Sequence, residues 1–103
     1  MDRISRQSLQ EKMTRGEPFA LIDVLSADEY ESFHLPGAIN VPITQSFAEN
    51  IQRVVPDKQQ EVIVYCQNED CPASPTAARF MEELGYERVL DYAAGRDGWR
   101  RRS

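Results

Sequence analysis

The stretch 61–84, EVIVYCQNEDCPASPTAARFMEEL, constrains the fold more than any other part of the chain. Val62, Ile63, Val64 and Tyr65 form an unbroken apolar run rich in β-branched residues, the pattern of a strand buried on both faces. Such a strand needs cover above and below. Cys66 ends the run, residues 67–73 have loop composition, and Ser74-Pro75 opens a segment in which Ala77, Phe80, Met81 and Leu84 recur at helical spacing. Ser74 suits the N-cap, and Pro75 suits the first helical position because its missing N–H has no intrahelical partner there. The predicted unit is therefore strand, loop and helix. A loop that hands a buried strand to a helix N-terminus presents backbone N–H groups and a positive dipole end, which favour a thiolate or an anionic adduct on sulfur. Cys66 is the candidate nucleophile, expected with its sulfur open to solvent. The alternative is a buried structural cysteine that merely ends a strand.

The rest of the chain repeats the alternation. A first helix is predicted over 4–15, with Ser5 as cap and Gly16 as stop. Residues 19–24, FALIDV, read as a second buried strand. Residues 26–33 read as a short helix, with Ser26 and Glu29 three positions apart as a capping box and Tyr30 and Phe33 facing inward. His34-Leu35-Pro36-Gly37 is a turn, since helices stop before proline. Residues 39–41 form a very short strand, and 45–54 a helix with Phe47, Ile51 and Val54 or Val55 on one side. Gly85 ends the central helix, 86–90 is a last strand, and 92–98 is a glycine-containing loop before Trp99, which reads as a core lid. Strands and helices in alternation point to an α/β fold with a parallel sheet covered by helices on both faces.

A chain of 103 residues fits one domain, 1–103. Its 41% hydrophobic and 28% charged content is that of an ordinary soluble globular protein. No apolar run is long enough for a membrane span and the N-terminus lacks a signal peptide's apolar core, so a cytoplasmic location is expected. A net charge of −5 argues against nucleic acid as a partner. Arg96, Arg100, Arg101 and Arg102 nevertheless place four of the twelve basic residues in the last eight positions, as a solvated tail or a local basic patch. Cys66 and Cys71 lie five positions apart, which in a reducing compartment suggests catalytic, redox or metal-binding thiols. Zinc is the weakest of these, because the only histidine, His34, is far away in sequence and a structural site needs four ligands. No metal and no cofactor is expected.

The run DVLSADEYESFHLPGAINVP resembles the signature of rhodanese-like domains, with Asp23, Val24, Glu29, Tyr30, His34, Pro36, Gly37, Ala38 and Pro42 at matching positions. YCQNEDCPASPTAARFMEELGY is similar to the second half of the same pattern, an active cysteine at a strand end, a cradle-like loop and an alanine-rich helix closing at Gly-aromatic. Together they cover about residues 4–99. The resemblance implies a five-stranded parallel sheet flanked by helices, and transfer of a sulfane sulfur through a persulfide on Cys66. It also implies an active-site loop made of Gln67, Asn68, Glu69, Asp70, Cys71, Pro72, Ala73 and Ser74. Partners would be a small sulfur donor or a persulfidated thiol, with a small-molecule or protein acceptor. The chain departs from the pattern in having Leu25 in place of an arginine, Phe33 in place of a glycine, and Ala93-Ala94-Gly95 in place of a double glycine. Its loop holds Glu69 and Asp70 where the family often carries glycine and arginine. Two carboxylates beside the sulfur oppose both a thiolate and a dianion such as thiosulfate.

Three readings compete. The first is a single-domain sulfurtransferase. The second is a redox-sensing or protein-binding module in which Cys66 and Cys71 toggle between dithiol and disulfide, Cys71 acting as a resolving thiol or else merely filling the loop's corner. The third, a cysteine phosphatase, needs an arginine six positions after the nucleophile, where Pro72 stands. Glu69 and Asp70 are either solvated or a repulsive screen that also meets a basic partner, with Arg96 offsetting their charge. Asp23 and His34 are expected to support the site structurally, Asp23 by bonding nearby backbone and His34 by packing in its turn; a catalytic His34-Cys66 pair is the sharper alternative.

Overall fold

The computed structural model describes residues 2–100. In chain order its elements are β1 (Asp2–Arg3), α1 (Arg6–Arg15), β2 (Ala20–Asp23), α2 (Ala27–Ser32), β3 (Ile39–Asn40), α3 (Phe47–Val54), β4 (Val62–Tyr65), α4 (Ala73–Glu83), β5 (Val89–Tyr92) and α5 (Gly95–Arg100). The five strands pair in parallel in the order β1-β5-β4-β2-β3, so the VIVY run is the central strand, as an apolar run with no polar face requires. Asp23, Tyr65 and Tyr92 stand side by side at the carboxyl end of β2, β4 and β5.

Side chains of β4 alternate between two cores. Val62, Val64 and Cys66 join one cluster with Phe47 and Ile51 of α3 and Ala77, Ala78 and Met81 of α4. Ile63 and Tyr65 join the other with Leu9 of α1, against which Trp99 of α5 also packs. All four residues of β4 are fully buried, and each such Val or Ile contributes about 1.5–3 kcal/mol. The expected cover on both faces is present. Ser5 caps α1 through its Oγ, which accepts from the Ser8 N–H, and Gly16 closes that helix in the left-handed region.

Several boundaries differ from those predicted. The predicted last strand, 86–90, begins only at Val89, because Tyr86 turns into the core and its hydroxyl donates to the Ile51 and Val55 carbonyls at the end of α3. The predicted loop 92–98 is largely helical, α5. Strand β1 carries no apolar signal and exists through pairing with β5. Helix α3 starts at Phe47 rather than 45; its inward residues are Phe47 and Ile51, followed by buried Val55 just past its end, while Val54 is 37% exposed. The capping box at α2 is half formed. Ser26 Oγ accepts from the Glu29 N–H, and its O–H donates to the Glu29 carboxylate. Tyr30 and Phe33 pack partly against the second core.

Candidate active site

Cys66 is the first residue beyond the central strand, at the carboxyl end of the sheet, where open α/β sheets place their ligands. The loop that follows is clamped from below by α5. The Arg96 N–H donates to the Cys66 carbonyl and the Asp97 N–H to the Gln67 carbonyl, each at 3.0 Å. Gly95 makes this approach feasible: a Cβ there would lie 2.5 Å from the Cys66 oxygen and 2.6 Å from the Gln67 carbonyl carbon. Side chains repeat the clamp. The amides of Gln67 and Asn68 both donate to the Asp97 carboxylate, and Arg96 Nε donates to Gln67 Oε1 at 2.7 Å. Beyond it the chain turns on Asn68, whose Oδ1 accepts from the Asp70 N–H and whose carbonyl accepts from the Cys71 N–H.

Cys66 is 1% exposed, so its sulfur is not open to solvent as expected from sequence. Its S–H points to the Cys71 carbonyl at 3.5 Å and to Ser74 Oγ at 3.4 Å. Burial is the largest influence on the thiol and pushes it up to about 11, with the Cys71 side chain adding to the rise; the hydroxyl and N–H of Ser74 pull the other way. The helix N-terminus therefore does not produce a thiolate in this closed arrangement. Ser74 is not the N-cap either. Helix α4 begins at Ala73 with Pro72 before it, which leaves Ser74 in the first turn, 1% exposed and turned toward the sulfur. Pro75 still fits, because the first bond of the helix runs from the Thr76 N–H to the Pro72 carbonyl. Cys66 and Cys71 are both free thiols, and both belong to the core cluster under α3 and α4, Cys71 at its partly buried margin.

Sequence comparison decides the family: a model described as Rhodanese-like domain matches residues 5–102. The chain belongs to the rhodanese-like family. It is 34% identical over 86 residues to an HTH-type transcriptional regulator of Mycobacterium tuberculosis, an alignment covering 84% of this chain and 36% of the regulator. It is 38% identical over 68 residues to the thiosulfate sulfurtransferase PspE of Escherichia coli, covering 66% of this chain and 62% of that protein. The chain thus spans between a third and two thirds of the length of these two relatives. Among solved structures, a Bacillus halodurans protein superposes with a TM-score of 0.83 at 27% identity, covering 96% of this chain and 71% of that one. A human single-domain sulfurtransferase superposes with a TM-score of 0.83 at 23% identity over 100% and 99% of the two chains, a likeness of fold. The rhodanese-like α/β sheet expected from the sequence is the observed one.

Within this rhodanese-like domain the supporting residues divide. Asp23 is fully buried; its Oδ1 accepts from the Leu25 N–H at 2.9 Å and its Oδ2 from the Tyr65 hydroxyl at 2.7 Å, while that hydroxyl accepts from the Leu35 N–H. Burial raises the Asp23 pKa, against the pull of those two donors. Asp23 thereby ties β2, β4 and the His34 turn together. His34 is exposed, stacks on Tyr30 at 3.8 Å between ring centroids and holds the Tyr30 carbonyl through Nδ1. The side chains on the Cys66 sulfur are those of Cys71 and Ser74, not His34. Arg96 does not offset Glu69 and Asp70. It is buried, and its guanidinium is taken up by Gln67, by the carbonyls of Glu29 and Phe33 at the end of α2, and by the Glu29 carboxylate. The buried arginine and the exposed Arg100, which lies over the Phe33 ring, are thus neither one patch nor one tail; Arg101 and Arg102 lie outside the described residues. Glu69 and Asp70 are exposed on the loop's rim.

Sequence reasoning passed over Gly95, Asp97 and Asp91. Only Gly95 had a signal, as part of the Ala93-Ala94-Gly95 segment that stands for the family's double glycine. Asp91 fell between the predicted strand 86–90 and the predicted loop 92–98. It lies inside β5, 2% exposed, interacting with the Ser74 hydroxyl; its Oδ1 has no hydrogen-bond partner among the described residues, and burial raises its pKa. Among the described residues no three His, Cys, Asp or Glu side chains converge as metal ligands, and no helix is long and apolar enough to cross a membrane.

Proposed function

We propose that this domain moves sulfane sulfur through a persulfide on Cys66 to a thiol acceptor. The observation that carries the reading is the position of Cys66, first residue past the central strand, with the hydroxyl and N–H of Ser74 directed at its sulfur from the first turn of α4. In the first step the Cys66 thiolate attacks the outer sulfur of a donor persulfide, forms the new S–S bond and releases the donor thiolate. In the second, an acceptor thiolate takes that outer sulfur and Cys66 leaves as thiolate, its charge met by the Ser74 donors. Sulfur-transfer names among the relatives support the direction: a putative sulfur carrier of Bacillus subtilis, 26% identical over 93% of this chain, beside the thiosulfate sulfurtransferase.

The closed sulfur and its high pKa mean that the loop must lift before either step. Its exposed Glu69 and Asp70 then flank the approach, and the nearby cation, Arg96, is already neutralised by α2. A neutral or zwitterionic persulfide, or a protein persulfide on a basic surface, suits that rim better than thiosulfate. Both cysteines as thiols suit the reducing cytoplasm. The test is intact mass after exposure of the reduced protein to cysteine persulfide, followed by an acceptor thiol. Addition of one sulfur atom, absent in Cys66→Ser and discharged by the acceptor, is the expected result. An unmodified Cys66 under conditions that label it with an alkylating agent would sink the reading.

A further inference from the structure

The loop brings its second thiol back onto the first. The Cys71 N–H bond to the Asn68 carbonyl folds the chain over, the Cys71 carbonyl lies 3.5 Å from the Cys66 sulfur, and the Cys71 side chain is within hydrogen-bonding reach of that same atom. Neither thiol is in a disulfide, and both pack in the same apolar cluster, Cys71 at its margin. The position of the second thiol decides which sulfur of a loaded site it meets. The Cys71 side chain lies beside Sγ, the atom that becomes the inner sulfur of a persulfide on Cys66. Attack on the outer atom would only pass the sulfane sulfur along; attack on the inner atom expels it.

We propose that Cys71 discharges the loaded site by attacking the Cys66 sulfur of the persulfide, releasing hydrogen sulfide and closing a Cys66–Cys71 disulfide that an external dithiol reduces. The step balances. A new S–S bond forms between the two cysteines, the bond to the outer sulfur breaks, and the Cys71 proton leaves with the sulfide. The two electrons that reduce the sulfane sulfur come from the cysteine pair, and a dithiol reductant restores them in a second exchange. The domain then has a further activity, conversion of persulfide sulfur to sulfide at the expense of a dithiol. This inference rests on the persulfide reading above.

The experiment compares wild type, Cys71→Ser and Cys66→Ser, each reduced, stripped of reductant and given one equivalent of cysteine persulfide without oxygen, with intact mass and released sulfide read together. Cys71→Ser is expected to gain and keep one sulfur atom. Wild type is expected to pass through that mass at least about tenfold faster, ending two hydrogens lighter than it began with one sulfide released per chain; Cys66→Ser does neither. Wild type that keeps the added sulfur as long as Cys71→Ser, with no sulfide, overturns the role of Cys71 and leaves the persulfide reading standing. A wild-type disulfide without sulfide overturns it too, since some other oxidant has closed the pair. If Cys71→Ser never gains sulfur, the persulfide reading fails and this inference with it.

Discussion

Replacing Gly95 with alanine tests how the site is held, and Gly16→Ala supplies the matched control. Both glycines sit in the left-handed region, at φ 64° and 68°, so an alanine at either carries the same backbone strain, about 1–2 kcal/mol. The surroundings differ. A Cβ at Gly16 meets nothing within 4 Å, whereas at Gly95 it falls 2.5 Å from the Cys66 oxygen, 2.6 Å from the Gln67 carbon and 2.7 Å from the Gln67 oxygen. All three are backbone atoms, so no flexible side-chain end can yield; the β5–α5 turn must part from the loop. That separation has the cost of overpacking, about 1–3 kcal/mol, and loosens the Arg96 and Asp97 N–H bonds to the loop carbonyls, about 1 kcal/mol between them. Gly95→Ala should therefore cost about 3–6 kcal/mol and Gly16→Ala about 1–2 kcal/mol, against a total stability on the order of 5–15 kcal/mol. Urea unfolding followed by Trp99 fluorescence measures both. Equal losses in the two variants, within about 0.5 kcal/mol, would refute the argument that α5 is pressed against the site through Gly95.

In a Cys71→Ser background, alkylation of Cys66 should still follow a thiol titrating above the ordinary 9.0, because burial, the largest cause of the rise, remains; a midpoint at or below the ordinary value would contradict the burial argument. The same shift has a stability counterpart. Between pH 9 and about 11 the unfolded chain sheds a proton that the folded chain keeps, so stability present below pH 9 falls as pH rises toward 11, and denaturation midpoints across that window read it. Ser74→Ala removes a donor to the thiolate and should slow alkylation of Cys66 at pH 8 several-fold, an effect that a purely packing role for Ser74 would not produce. Tyr65→Phe leaves Asp23 Oδ2 and the Leu35 N–H without their partner and should cost about 2–4 kcal/mol in urea unfolding; a loss below about 0.5 kcal/mol would show that the buried bridge is dispensable. Neutralising the rim with Glu69→Gln and Asp70→Asn together should raise the rate of loading from thiosulfate several-fold while changing loading from cysteine persulfide less, and equal rates before and after would remove the charge screen.

Much of the architecture was legible in local pattern. The VIVY run and the Ala77-Phe80-Met81-Leu84 spacing carry their own periodicities, and the observed β4 and α4 fall where those periodicities end to within a residue or two. What eluded that reading has no local signature. Asp2 and Arg3 are polar and become a strand only because the β5 backbone is beside them, and Tyr86 has strand propensity yet serves as a plug against α3. Residues 95–100 carry two glycines and an aspartate and look like a loop, yet their helix is seeded where two of its N–H groups meet the Cys66 and Gln67 carbonyls.

For the site, the linear order of residues determined that a cysteine would stand where the buried strand gives way to a loop and helix, with a second thiol and two carboxylates close behind it, because covalent neighbours travel together whatever the rest of the chain does. Only the tertiary structure decided how that sulfur is presented. Its burial, the inward turn of Ser74, the diversion of Arg96 to α2 and the pressure of Gly95 from below all come from segments distant in sequence, whose positions depend on how two cores close around one central strand.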